Sequence, residues 1–151
     1  MHIMVLDSEQ ATIALGESLG ERLRPGDLLF LSGDPGAGKT TLTQGIARGL
    51  GVTVPVTSPT FQLKKSYTGR FRLVHLDLYR LERPEELEVL EPDELTSEGI
   101  TVVEWGDLLK QRLALEYLEI RIDFGPAGGR TATFTPSGGR YHDLVKELAG
   151  C

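Results

Sequence analysis

The sequence predicts an α/β fold of three layers, α/β/α, around a sheet that mixes parallel and antiparallel strands. Three observations carry that prediction. Helical and strand patterns alternate over the first third of the chain, the signature of a parallel sheet. Strand patterns then come in pairs, at 62–67 with 70–76 and at 118–124 with 131–135, as antiparallel neighbours do. The length of 151 residues suits one domain, 1–151, with a substantial core.

Taken in order, Asp7 or Ser8 can cap a first helix, with Gln10 placed to answer Asp7 as a capping box. Ala11, Leu15, Leu19 and Leu23 recur every four residues and mark its apolar face. Pro25-Gly26-Asp27 signals a turn before the apolar run Leu28 to Leu31, which has strand length. A glycine-rich loop, 33–38, leads to a helix over Thr40 to Leu50 that Gly49 or Gly51 stops. Gln62 to Tyr67 and Arg70 to Leu76 read as strands joined at Thr68-Gly69. Pro84 to Leu90 reads as a short helix with proline in its first turn. Ile100 to Val103 is a buried-type strand ending at Glu104, and Trp105 to Leu113 reads as helical. Two more strands, Leu118 to Phe124 and Thr131 to Thr135, flank Gly125-Pro126-Ala127-Gly128-Gly129, and Tyr141 to Leu148 closes the chain as a helix.

Composition excludes several classes. The apolar fraction of 40% and charged fraction of 25% are those of a soluble globular protein. No run approaches the ~18 apolar residues of a membrane span. Met1 to Glu9 has no basic region followed by an apolar run, which argues against a signal peptide. The single cysteine, Cys151, permits neither an intramolecular disulfide nor a cysteine metal cluster. Together these features predict a cytoplasmic protein. A net charge of −6 with scattered basic residues argues against tight stand-alone binding of nucleic acid.

Residues 33 to 40 read Gly-Asp-Pro-Gly-Ala-Gly-Lys-Thr and fit the phosphate-loop pattern G-x-x-x-x-G-K-S/T. A triphosphate needs several backbone N–H groups converging on one point. Gly33, Gly36 and Gly38 let the chain curl that tightly, while Asp34, Pro35 and Ala37 fill the remaining positions. The following helix adds free N–H groups and the positive end of its dipole. Lys39 can reach the β and γ phosphates, the Thr40 hydroxyl can ligate Mg2+, and Thr41 can donate to the α phosphate. The loop lies between an apolar strand and a helix, as this chemistry requires, so the predicted fold is of the P-loop NTPase type.

Such a loop needs an acid from another strand to hold magnesium, directly or through water. Asp77 after Leu73-Val74-His75-Leu76 and Glu104 after Ile100-Thr101-Val102-Val103 both end apolar strands. Carboxyl ends of neighbouring strands converge on the ligand crevice of open α/β sheets. Spacing alone does not assign which acid touches the metal and which handles water. Ser58-Pro59-Thr60-Phe61 reads equally as a γ-phosphate sensor or as a turn with a core phenylalanine. Trp105, the only tryptophan, reads as a core anchor ahead of a nucleotide contact, and His75 as a structural histidine ahead of a ligand. Asp77, Tyr79 and Arg80 form a polar cluster after their strand, where Arg80 can meet a phosphate or pair with the acids at 82–91.

The motifs in sequence are Gly-Asp-Pro-Gly-Ala-Gly-Lys-Thr-Thr at 33–41, Ser-Pro-Thr-Phe at 58–61, His-Leu-Asp-Leu-Tyr-Arg-Leu at 75–81, Pro-Glu-Glu-Leu at 84–87 and Val-Glu-Trp-Gly at 103–106. Together they resemble the TsaE family, small ATPases of bacterial tRNA threonylcarbamoyladenosine biosynthesis. The resemblance runs from Glu9 to Arg130. It implies ATP hydrolysis beside the TsaB–TsaD pair, which modifies adenosine 37 of tRNAs that read codons beginning with A; tRNA would be met only through that complex. It places Lys39 and Thr40 in their P-loop roles, Glu104 on a magnesium-associated acid and Asp77 on a second functional acid. Ser58 to Thr60 falls on a switch-like loop and Trp105 near the nucleotide. Ser8 or Glu9 and the loop Gly128 to Arg130 fall where the family closes around the base. Pro35 departs from the leucine of many members; it stiffens the loop and removes no carbonyl.

Three functions compete. The first is a slow ATPase that resets a protein partner. The second is a small-molecule kinase, for which no long arginine-rich lid follows the P-loop helix. The third is a nucleotide-gated binding module with little turnover. No Asn-Lys-x-Asp run, the usual guanine reader, is present, which favours ATP.

Overall fold

A computed structural model describes residues 1–57, 63–113 and 115–150. Among them, seven strands form one sheet in the order β1-β7-β6-β2-β5-β4-β3. The strands are β1 (His2–Leu6), β2 (Leu28–Gly33), β3 (Lys64–Thr68), β4 (Arg72–Asp77), β5 (Ile100–Glu104), β6 (Tyr117–Phe124) and β7 (Arg130–Ser137). The pairs β2–β6, β2–β5 and β4–β5 are parallel, and β1–β7, β6–β7 and β3–β4 antiparallel. Helices α1 (Glu9–Arg22), α2 (Lys39–Gly49), α3 (Asp107–Arg112) and α4 (Gly139–Ala149) complete the layers. The expected mixed-sheet α/β/α sandwich is therefore present.

Alternation along the strands sorts the core into two. Leu29, Leu31, Leu73, Ile100, Val102, Leu118, Ile120 and Phe134 pack against Leu15, Leu19, Leu42, Ile46 and Leu144 of α1, α2 and α4. On the opposite face Leu28, Phe30, Val74, Leu76 and Val103 pack against Leu87, Leu90, Leu95 and Leu109. No helix among the described residues is long and apolar enough to cross a membrane.

Several sequence expectations are corrected. Strand β1 was not foreseen; Ile3 and Val5 face solvent while Met4 and Leu6 face the core, so both faces are apolar and no alternation shows. Ser8 rather than Asp7 caps α1, its Oγ accepting from Ala11 N at 3.1 Å, so the Asp7–Gln10 capping box is not the one used. The segment Pro84–Leu90 is a 3-10 helix, followed by a second at Pro92–Glu98 that was not foreseen. Both leucines of the first, Leu87 and Leu90, are buried, as a repeat of three residues per turn allows. Helix α3 begins at Asp107, because Trp105 takes a left-handed φ of 56° and Gly106 becomes the N-cap.

Helices α1 and α2 meet through glycines. A Cβ on Gly20 would lie 2.3 Å from Ile46 O, and one on Gly49 2.3 Å from Glu17 O. Backbones this close let α1 set the position of α2, the helix that carries the phosphate loop.

Candidate nucleotide site

Strand β2 ends in the middle of the sheet, between β6 and β5, and the chain turns there into α2. Gly33, Gly36 and Gly38 hold φ values of 119°, 77° and 122°, which explains their type. At Gly33 space is decisive as well, since a Cβ would lie 1.9 Å from Ile122 O. Asp34 fastens the loop to β6: its N–H donates to Ile122 O at 3.1 Å, and its Oδ2 accepts from Phe124 N at 3.1 Å. Pro35 is exposed and takes no part in this anchoring. Gly38 caps α2 without a side-chain hydrogen bond, and no acidic residue stands in the first turn. The N–H groups and the positive dipole end are thus left for an anion.

Lys39 is buried, its Nζ 3.4 Å from Gly33 O and 4.8 Å from the centre of the Trp105 ring. Trp105 is 46% exposed and meets Tyr79 edge-on at 5.3 Å. The core-anchor reading of Trp105 is thereby corrected: its left-handed φ swings the indole off β5 toward the P-loop lysine. Thr40 and Thr41 are half-buried in the first turn of α2.

The two strand-end acids are brought together. Asp77 and Glu104 are register partners on the parallel pair β4–β5, and Glu104 also lies beside Leu31 of β2. Their environments differ. Glu104 is 4% exposed, with Oε2 2.7 Å from His75 Nε2. Asp77 is half-buried and accepts from Tyr79 N at 3.1 Å. Arg80 is exposed.

On the α1 side of the loop lies a cavity of about 260 Å³, lined by Ser8, Glu9, Gly36, Gly38, Thr41, Gly128 and Arg130 among others. The termini of α1 and β7 and the loop before β7 meet there. Arg130 ties them to the P-loop: Nε donates to Ala37 O at 3.0 Å, Nη1 to Gly128 O at 2.8 Å, and the guanidinium lies 4.4 Å from the Phe124 ring centre. Leu6 and Thr12 line the same cavity and were missed by sequence reading. Thr12 sits one residue past the start of the periodic apolar face, a position that gives no signal. Ser58 to Thr60, the expected switch-like loop, lies outside the described residues.

A mixed sheet with a glycine loop running from its central strand into a helix defines a P-loop NTPase fold. A family model described as "Threonylcarbamoyl adenosine biosynthesis protein TsaE" matches residues 6–131. The chain belongs to the TsaE family, proteins of tRNA threonylcarbamoyladenosine biosynthesis. It is 41% identical over 145 residues to the tRNA threonylcarbamoyladenosine biosynthesis protein TsaE of Nostoc sp., covering 93% of this chain and 89% of that protein. With the protein of the same name from Bacillus subtilis it is 43% identical over 142 residues, again covering 93% and 89%. The crystal structure of Bacillus subtilis YdiB superimposes with a TM-score of 0.84 at 36% identity, covering 99% of this chain and 94% of that one.

Proposed function

We propose that this chain is a magnesium-dependent ATPase that supports TsaB and TsaD in forming N6-threonylcarbamoyladenosine at position 37 of tRNAs that read codons beginning with A. The observation that carries the reading is the uncapped N-terminus of α2, with Lys39 folded beside it, on a sheet whose neighbouring strands end in paired acids. The backbone of 33–38 and the first turn of α2 would bind the phosphates, with Thr41 on the α phosphate. Adenine and ribose would occupy the cavity between Ser8, Glu9 and the Gly128–Arg130 segment, and Trp105 would border the nucleotide beside Lys39.

The donors suit magnesium, a hard cation that binds one or two carboxylates together with substrate phosphates. Thr40 Oγ1, Glu104 and Asp77 are all oxygen donors, the two acids paired in register at the ends of β4 and β5 and the threonine in the first turn of α2, and Glu104 is already withdrawn from solvent. When bound, magnesium would offset charge on the β and γ phosphates. Lys39 adds to that effect at the oxygens between them. Asp77, the more exposed acid, would orient the attacking water, and Glu104 would hold the metal side. The working compartment is the cytoplasm, and tRNA is reached through the protein partners.

The test is phosphate release from Mg·ATP by the protein alone and with TsaB, TsaD and tRNA, with Lys39→Ala as control. Release that needs Lys39, needs no acceptor and rises with the partners supports the proposal. Nucleotide binding without release under every condition overturns it in favour of a nucleotide-gated binder, and ADP formed only with an added small acceptor, the phosphoryl group ending on the acceptor rather than as free phosphate, points to a kinase.

A further inference from the structure

On the face of the sheet that receives α1 and α2, β4 and β5 present Leu73, Ile100 and Val102 to the core. His75 continues that face on β4, in register with Val102 and one step diagonal to Glu104. An aliphatic residue would fill this position without desolvation cost. Instead an imidazole is wholly buried there, and burying a polar ring is unfavourable unless it is bonded. Its Nδ1 has no hydrogen-bond partner among the described residues. Its one described polar contact is Nε2 to Glu104 Oε2, at 2.7 Å, the length of a charge-assisted hydrogen bond. A carboxylate only accepts, so Nε2 carries the proton.

We propose that His75 is a positioning residue that holds Glu104 by Oε2 and so presents Oε1 in one direction to the magnesium–nucleotide complex. The inference rests on the reading of Glu104 as the metal-side acid. Magnesium demands near-octahedral geometry and takes single oxygens. A glutamate free to rotate about its last bond would pay for that geometry at every binding event; one held by a buried ring is set beforehand. Outer partners of this kind typically change metal affinity by about 10–100-fold when removed.

The experiment measures Mn2+ binding to the protein complexed with β,γ-imido-ATP, by electron paramagnetic resonance, without any turnover. His75→Leu removes the donor, His75→Asn shortens it out of reach, and His75→Gln restores an N–H near the position of Nε2. Glu104→Gln and the double variant Glu104→Gln/His75→Leu complete the cycle. We expect Mn2+ affinity to fall by about tenfold or more in the Leu and Asn variants and to recover in the Gln variant. In the Glu104→Gln background, His75→Leu should add nothing. If Leu does not fold, Asn against Gln carries the same comparison. Equal Mn2+ affinity in all His75 variants, with Glu104→Gln still weakened, overturns the role of His75 and spares that of Glu104, even if melting temperatures fall. Unchanged affinity in Glu104→Gln overturns the metal-side assignment itself.

Discussion

Gly16 and Gly45 face each other so closely that a Cβ on Gly16 would lie 2.7 Å from the Cα of Gly45. The contact repeats one turn on, where a Cβ on Gly20 would lie 2.9 Å from the Cα of Gly49. The α1–α2 interface is thus backbone against backbone. It ties the helix that opens with Lys39 to the one whose N-terminus borders the cavity at Ser8 and Glu9.

Gly45→Ala should therefore destabilise the protein although alanine is the better helix former. A methyl on Gly45 would lie 2.5 Å from Ile13 O, so the helices must separate. We expect a cost of about 1–3 kcal/mol, larger than the gain of about 1 kcal/mol in helix propensity. Urea denaturation checks it, and nucleotide affinity should fall with the shift of α2.

Lys39→Ala should lower phosphate release by about 100-fold or more, the usual scale for losing one donor to developing charge. Thermal stability should hold, because among the described residues the buried ammonium has only a long contact to Gly33 O and the indole beside it. Single-turnover release and a melting curve on the same preparation separate the two effects.

Arg130→Ala should weaken ATP binding by about tenfold, or about 1.4 kcal/mol. The variant frees the P-loop from the segment 128–130 by removing the bond to Ala37 O and the stacking on Phe124. Fluorescence of Trp105, the only tryptophan, reports the titration. An unchanged affinity would place the base elsewhere.

Tyr141→Phe should cost about 1–2 kcal/mol, because Leu28 N, at the start of β2, loses its 2.9 Å bond to Tyr141 Oη and is left buried. Burial pushes the Tyr141 phenol above its ordinary value of 10.0. The neutral form is favoured in the folded state by burial, although the Leu28 N–H bond favours the phenolate, so stability is unaffected by this group below about pH 10 and falls as pH rises through the raised value. Alkaline unfolding of the wild type should accordingly lose part of its steepness in the variant.

The P-loop was legible in sequence because its glycines answer a local demand, positive φ, and its lysine and threonine follow at fixed spacing. Asp77 and Glu104 were legible because each ends an apolar run. The edge strand β1 was not, since its partner β7 lies at the other end of the chain and both of its faces are apolar. Nor was the difference between the two acids' surroundings: the 2.7 Å contact of Glu104 with His75 joins residues 29 positions apart.

The chain by itself determined the α/β class, the phosphate loop, two strand-end acids and the family, because each is written in local pattern and spacing. Tertiary structure alone decided which acid is buried, that Trp105 turns outward to Lys39, and that the start of α1 and the 128–130 loop close one cavity. Those outcomes depend on strand order and on helices packed glycine to glycine; the four-residue spacing of Gly16 with Gly20 and of Gly45 with Gly49 is written in the sequence, but which helix each pair meets is not.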